Sequence, residues 1–244
     1  MSKIKSSKEI LSNKFLSRFN LEGPWCPNCQ YPLTEGEDCF ECKRRKREDE
    51  KIIAGWIEKI GGLKAWNEYT TTAFVDTNYN HTAFIGAKEF NYRKSSILFH
   101  GPKGTGKSHL AAIAKRPSII AGVDVLTVSM PDVLSHIRAE IKNGRVLDEW
   151  IERMISAAVL SIEDMATEKP SDWVIEQYYR IIDGRYRQAK AGLIITMNLS
   201  LMQLESFWSR FDINGRITSR LYEMCRDHIF STVGERDWRK IADV

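Results

Sequence analysis

Short apolar runs separated by amphipathic stretches organise the chain from Ser96 onward. Ile97 to His100, Val125 to Ser129, Ala157 to Ile162, Leu193 to Met197 and Ile229 to Val233 have the length and composition of buried strands. Between them apolar positions recur at helical spacing. Five strands with helical crossovers are the pattern of a parallel sheet in an α/β domain. The helix after the first strand is expected from Lys107 to about Ala121, with Pro117 kinking it or ending it early.

Upstream the pattern changes. Ile52, Ile53, Trp56, Ile57 and Ile60 keep helical spacing until Gly61 and Gly62 stop it, and a second helix is expected over His81 to Tyr92. Aromatic residues crowd the stretch from Leu63 to Lys94, among them Trp66, Tyr69, Phe74 and Phe84, which reads as an entrance segment packed on the core. Before it, Cys26 to Cys42 is rich in Pro, Gly, Asn and Cys and cannot bury a core without a staple. Residues 1–25 carry scattered apolar positions among Lys and Ser, as in a short helix or partly ordered arm. The expected division is an N-terminal arm and metal module over residues 1–51, a linker and entrance segment over 52–95, and the α/β core over 96–244.

Composition adds little to that division. The chain has 244 residues, 43% hydrophobic and 28% charged, an ordinary globular balance that argues against disorder throughout. Its net charge of +4 suits a phosphate-bearing partner without requiring one. No apolar run reaches the roughly 18 residues of a membrane span, and the N-terminus lacks a signal peptide's apolar stretch, so a cytoplasmic protein with no membrane partner is expected. In a reducing compartment, four of the five cysteines, set in two C-x-x-C pairs, read as thiolates, and Cys225 reads as a buried apolar residue.

The chemistry begins at GPKGTGKS, between a strand and a helix. Binding a triphosphate needs backbone N–H groups converging on anionic oxygens, which a Gly-rich turn permits. Gly101, Gly104 and Gly106 allow the loop, Lys107 reaches the β- and γ-phosphates, and Ser108 can place its hydroxyl on Mg²⁺. The ATP-binding set is Gly101, Pro102, Lys103, Gly104, Thr105, Gly106, Lys107, Ser108 and His109.

Hydrolysis needs carboxylates at the end of a neighbouring strand. AAVLSIEDM supplies Glu163 and Asp164, both expected on the phosphate side. The order Glu then Asp is unusual and leaves the division of labour open, with Glu163 set on the Mg²⁺ side. LIITMN ends with Asn198, placed to sense the γ-phosphate, and GRITSRLYEMC offers Arg216 and Arg220 on one helix face.

CPNC at Cys26 and Cys29, followed by CFEC at Cys39 and Cys42, supplies four soft ligands for one tetrahedral, structural Zn²⁺. KRRKR at Lys43 to Arg47 follows, a candidate contact for the phosphates of single-stranded DNA.

GPKGTGKSHLAAIA, VLTVSMPDVLSHIR, IEDMATEKPSDWVIEQYYRIIDGRY, TMNLS and RITSRLYEMC, in that order, resemble the DnaC and DnaI type of AAA+ replicative helicase loader over roughly Ser96 to Val244. The resemblance implies an AAA+ P-loop core without a helical lid, with Lys107, Glu163, Asp164 and Asn198 as catalytic residues and Arg220 as an arginine finger. The four-cysteine segment is similar in position to the zinc-ribbon-like N-terminal module of the DnaI branch. The implied activity is slow, assembly-dependent ATP hydrolysis. The implied partners are a hexameric replicative helicase, single-stranded DNA and further copies of the chain in an ATP-dependent oligomer. The IstB-type transposition ATPases, which act on duplex target DNA, share the same core and stand as the alternative, together with a nucleotide-gated adaptor of little turnover.

Overall fold

A computed structural model describes residues 58–142, 148–212 and 214–232, together with residues 39, 51, 54 and 55. The chain divides into two compact units, Met1–Gly55 and Trp56–Val244. The second contains the sheet.

Helices α1 (Leu63–Glu68) and α2 (His81–Glu89) precede strand β1 (Ile97–His100). There follow α3 (Lys107–Ile120), β2 (Val125–Ser129), α4 (Met130–Lys142), α5 (Asp148–Ser156), β3 (Val159–Met165), α6 (Asp172–Arg187), β4 (Leu193–Met197), α7 (Leu201–Trp208), α8 (Arg216–Cys225) and β5 (Ile229–Ser231). All five expected strands form, pair in parallel, and lie in the order β2-β3-β4-β1-β5. The loop after β1 therefore opens at the carboxyl ends of the strands, where open α/β sheets hold their ligands.

Alternation along the strands builds two apolar layers. Ile97 and Phe99 of β1 and Ile194 of β4 face α2 and α3, with Leu110, Ala111 and Ile119. Leu98, Leu193 and Ile195 face the opposite layer, formed by α4 to α8, where Tyr178 and Trp208 are buried together. Caps fix two of these helices: Ser171 Oγ accepts the Val174 N–H at the start of α6, and Ser200 with Gln203 forms a capping box on α7. Arg185, fully buried in α6, donates to the carbonyls of Met154, Ile155 and Ala157 and so satisfies the end of α5, while burial brings its pKa down to about 10.

Three expected boundaries shift. Helix α3 continues through Pro117 to Ile120. The ring removes one donor near the helix end, but the Pro117 carbonyl still accepts the Ala121 N–H, and buried Ser118 and Ile119 hold the last turn. Helix α2 stops at Glu89, because Phe90 takes φ −55° and ψ 126°. Strand β3 runs to Met165, so Glu163 and Asp164 lie inside it and not beyond its end.

Candidate nucleotide site

The loop from Gly101 to Gly106 wraps around the end of β1. A Cβ on Gly101 would stand 2.6 Å from the Thr232 carbonyl oxygen, and Gly106 takes φ 91° as the N-cap of α3. Lys107, buried at the first position of α3, donates from Nζ to the carbonyls of Gly101 (2.8 Å) and Pro102 (2.6 Å). Its ammonium thus lies across the mouth of the loop. It also acts on His100, whose pKa is lowered by burial and by the Lys107 charge.

Thr232, directly after β5, buttresses the loop. Its backbone N–H donates to the His100 carbonyl at 2.7 Å, and its hydroxyl hydrogen-bonds to the Thr105 hydroxyl at 2.7 Å.

A cleft of about 600 Å³ opens above this loop. Lys103 to His109 line one side, and Asp164 and Asn198 reach it from the ends of β3 and β4. The Asp164 N–H donates to Thr196 Oγ1 at 3.1 Å, which links the two strand ends. The far wall comes from the entrance segment, with Tyr69, Phe74 and Val75. His109 joins the two walls: its Nε2 lies 2.7 Å from the Thr70 carbonyl, its ring stacks on Tyr69, and its edge meets Phe74. An acceptor there requires the proton on Nε2; burial lowers the imidazole pKa, and the hydrogen bond to the Thr70 carbonyl opposes that shift. A phosphate-cradling end and an aromatic end in one cleft suit a nucleotide. Sequence pattern alone does not assign this aromatic wall to the site; its signal is the density of aromatic residues between Leu63 and Lys94.

The expected site residues separate into two groups. Lys107, Ser108, Asp164 and Asn198 share the cleft with Lys103, Gly104, Thr105, Gly106 and His109. Ser108 and Asp164 are hard oxygen donors of the kind Mg²⁺ takes.

Glu163 departs from the expectation that both carboxylates face the phosphate loop. Its Oε1 accepts from Lys115 Nζ of α3 at 2.7 Å, whereas Asp164 lines the cleft. Arg220, the arginine finger that the resemblance implies, is held within its own subunit. Its Nη2 meets Asp183 Oδ1 at 2.7 Å, Nη1 donates to the Arg216 carbonyl, and the guanidinium packs over Tyr179. Cys39 is the one ligand of the expected zinc set within the described residues. Cys26, Cys29 and Cys42, with Lys43 to Arg47, lie outside them.

Comparison with known proteins decides the family, for residues 43–240 match the IstB-like ATP binding proteins. The chain belongs to that family. Among its relatives, protein YqaM of Bacillus subtilis is 28% identical over 216 residues, covering 83% of this chain and 65% of YqaM. An insertion sequence IS5376 ATP-binding protein of Geobacillus stearothermophilus is 30% identical over 144 residues, 59% of this chain and 56% of the relative. The replicative helicase loader DnaC of Escherichia coli is 26% identical over 117 residues, 47% of this chain and 48% of the loader. The chain thus spans about half to two thirds of these relatives. A crystal structure of the DnaC helicase loader matches the fold with a TM-score of 0.58, at 23% identity, over 70% of this chain and 99% of that one. The core of this IstB-like protein is accordingly an α/β fold with a five-stranded parallel sheet, similar to that of the loader. Among the described residues no helix is long and apolar enough to cross a membrane.

Proposed function

We propose that this chain is an ATP-hydrolysing assembly factor for DNA replication that helps load a hexameric replicative helicase. The carrying observation is the convergence of Lys107, Ser108, Asp164 and Asn198 on one cleft with an aromatic far wall. In this reading the base enters against Tyr69 and Phe74, and the triphosphate lies along the Gly101–Ser108 loop. Lys107 exchanges the carbonyls of Gly101 and Pro102 for the β- and γ-phosphates, so the amine is held ready before nucleotide arrives. A magnesium ion, when bound, neutralises phosphate charge beside Ser108 and Asp164. Asp164 orients the attacking water, and Asn198 reports the γ-phosphate.

The loader reading is supported by the identity shared with DnaC and by the four-cysteine segment ahead of the core. That segment is proposed to bind one structural Zn²⁺ through Cys26, Cys29, Cys39 and Cys42 and to present a surface to the helicase, with single-stranded DNA bound by an oligomer of the ATPase core. A second reading, an ATPase of transposition acting on duplex DNA, is favoured by the family itself and by the IS5376 relative.

One set of measurements tests these readings. The purified chain should turn over ATP and contain one zinc per chain by elemental analysis, and a pull-down from its host should recover a replicative helicase. Recovery of a transposase, with preference for duplex over single-stranded DNA, selects the second reading. Absence of turnover in every assembled state leaves a nucleotide-gated adaptor.

A further inference from the structure

Asp164 reaches the cleft through a left-handed turn, a conformation uncommon for an aspartate and costly for the alanine two residues on. Asp164 takes φ 53° and Ala166 takes φ 62°, a left-handed conformation adopted by two non-glycine residues within one short stretch. The pairing of β3 with β4 slips at the same place: Ile162 faces Ile195, but Met165 faces Met197, so β3 carries one extra residue. A bulge of this kind re-aims a side chain. The side chain re-aimed here is Asp164, which lines the cleft while its neighbour Glu163 pairs with Lys115.

Strained backbone persists only where its surroundings hold it. The Asp164 N–H is held by Thr196 Oγ1, at 3.1 Å. The Ala166 N–H is held by the hydroxyl of Tyr178, also at 3.1 Å. That hydroxyl in turn donates to the Glu168 carboxylate, with oxygens at 3.0 and 3.1 Å. One phenol therefore binds both ends of the segment from Ala166 to Glu168. Tyr178 itself cannot move away. It is fully buried in α6, with its ring centroid 4.9 Å from that of Trp208. Phenylalanine would fill the same space against Trp208, so packing alone does not account for a hydroxyl aimed at the backbone of a left-handed residue.

We propose that Tyr178 is a positioning residue for Asp164: its buried hydroxyl pins the Asp164–Ala166 turn and thereby sets where the Asp164 carboxylate stands over the phosphate loop. The proposal rests on the reading of Asp164 as the residue that orients the attacking water. Tyr178 is fully buried and is not among the residues that line the cleft. Its influence on turnover passes through the turn, while the Gly101–Ser108 loop that binds the phosphates is independent of it. Loss of the hydroxyl should therefore lower kcat and spare nucleotide affinity.

The test compares full-length wild type, Tyr178→Phe, Asp164→Asn and the double variant. Steady-state ATP turnover gives kcat and KM, and a non-hydrolysable ATP analogue gives affinity. Tyr178→Phe is expected to lower kcat about tenfold with affinity held within about twofold, the signature of a group felt only in the transition state. In the Asp164→Asn background the same substitution is expected to cost nothing further, because the group it positions is already gone. Wild-type kcat in Tyr178→Phe overturns the proposal, and so does an equal loss in both backgrounds, which marks a general structural effect. Wild-type turnover in Asp164→Asn instead overturns the reading of Asp164, and the role of Tyr178 with it. If Tyr178→Phe does not fold, Glu168→Ala, which removes the acceptor orienting the hydroxyl, replaces it. Reduced kcat at unchanged affinity then supports the proposal, and unchanged kcat overturns it.

Discussion

Lys115 and Glu163 form an ion pair at the back of the nucleotide site, Nζ to Oε1 at 2.7 Å, with the lysine fully buried in α3 and the glutamate side chain 24% exposed. Burial lowers the Lys115 pKa, and the Glu163 charge and hydrogen bond oppose that shift. The pair joins the helix that starts at Lys107 to the strand that carries Asp164. Breaking a buried pair strands one charge in low dielectric and costs more than the pair contributes. Lys115→Met should therefore destabilise the core by roughly 2–3 kcal/mol, a figure reduced because Glu163 keeps some water. Adding Glu163→Gln should recover part of that loss, as read from urea unfolding midpoints. Glu163→Gln alone should lower turnover less than Asp164→Asn does. An equal loss in both would return Glu163 to the reacting phosphates.

Lys107→Ala should weaken ATP binding by at least about a hundredfold, because a charge preset against the β- and γ-phosphates is removed. Calorimetric titration with a non-hydrolysable analogue reads it directly. The folded state should survive, since Lys107 itself lines the cleft, from which water can reach the space the amine leaves. Wild-type affinity in this variant would remove the nucleotide site from this loop.

Cys225 lies buried at the end of α8, where desolvation pushes its thiol pKa from 9.0 up to about 12. A folded-state pKa raised above the unfolded value gives stability that is complete below about pH 9 and is lost as pH rises toward about 12. In that window the unfolded thiol ionises and the folded one does not, at about 1.4 kcal/mol per pH unit. Cys225→Ala has no such group. The stability gap between wild type and Cys225→Ala should narrow as pH is raised from about 8 to about 10.5, and a constant gap would show the thiol to titrate normally in the fold.

The sheet and the phosphate loop were legible because both are written in local pattern. Apolar runs such as Leu193 to Met197 have one stable placement in a parallel sheet, and GPKGTGKS dictates its own backbone. The divergent aim of Glu163 and Asp164 was not legible. It depends on where β3 ends, on a one-residue slip against β4, and on the distant partners Lys115, Thr196 and Tyr178. The same holds for Thr232, which meets Thr105 across 127 positions of sequence. The aromatic wall was half legible: its residues were conspicuous, but only the fold brings Tyr69 and Phe74 beside His109.

Arg216 and Arg220 lie one helical turn apart on α8, and the structure gives them different surroundings. Arg220 is drawn inward, its side chain 21% exposed, with Asp183 of α6 at 2.7 Å and the rings of Tyr179 and Tyr186 against its guanidinium. Arg216 has a side chain 54% exposed, 3.8 Å from Asp212, with its guanidinium 4.5 Å from the centroid of the Tyr179 ring. A finger that completes a neighbour's nucleotide site must present its charge outside its own subunit. Arg216 meets that condition and Arg220 does not. Arg220→Ala should accordingly lower stability, by about 1 kcal/mol, through lost packing on two tyrosines and loss of one of the two arginines at Asp183, where Arg187 Nε remains at 2.7 Å. Arg216→Ala should leave stability within about 0.5 kcal/mol and ATP affinity unchanged, yet remove the rise in activity per chain that the proposed oligomer is expected to show at higher protein concentration or with added single-stranded DNA. Mixing Lys107→Ala with Arg216→Ala provides the decisive comparison, since some interfaces then pair an intact phosphate loop with an intact arginine from the next subunit. Partial recovery of turnover is the expected outcome. A mixture as inactive as its components, with co-assembly verified, excludes Arg216 as the group acting in trans, and recovery with Arg220→Ala in its place would require Asp183 to release that side chain on assembly.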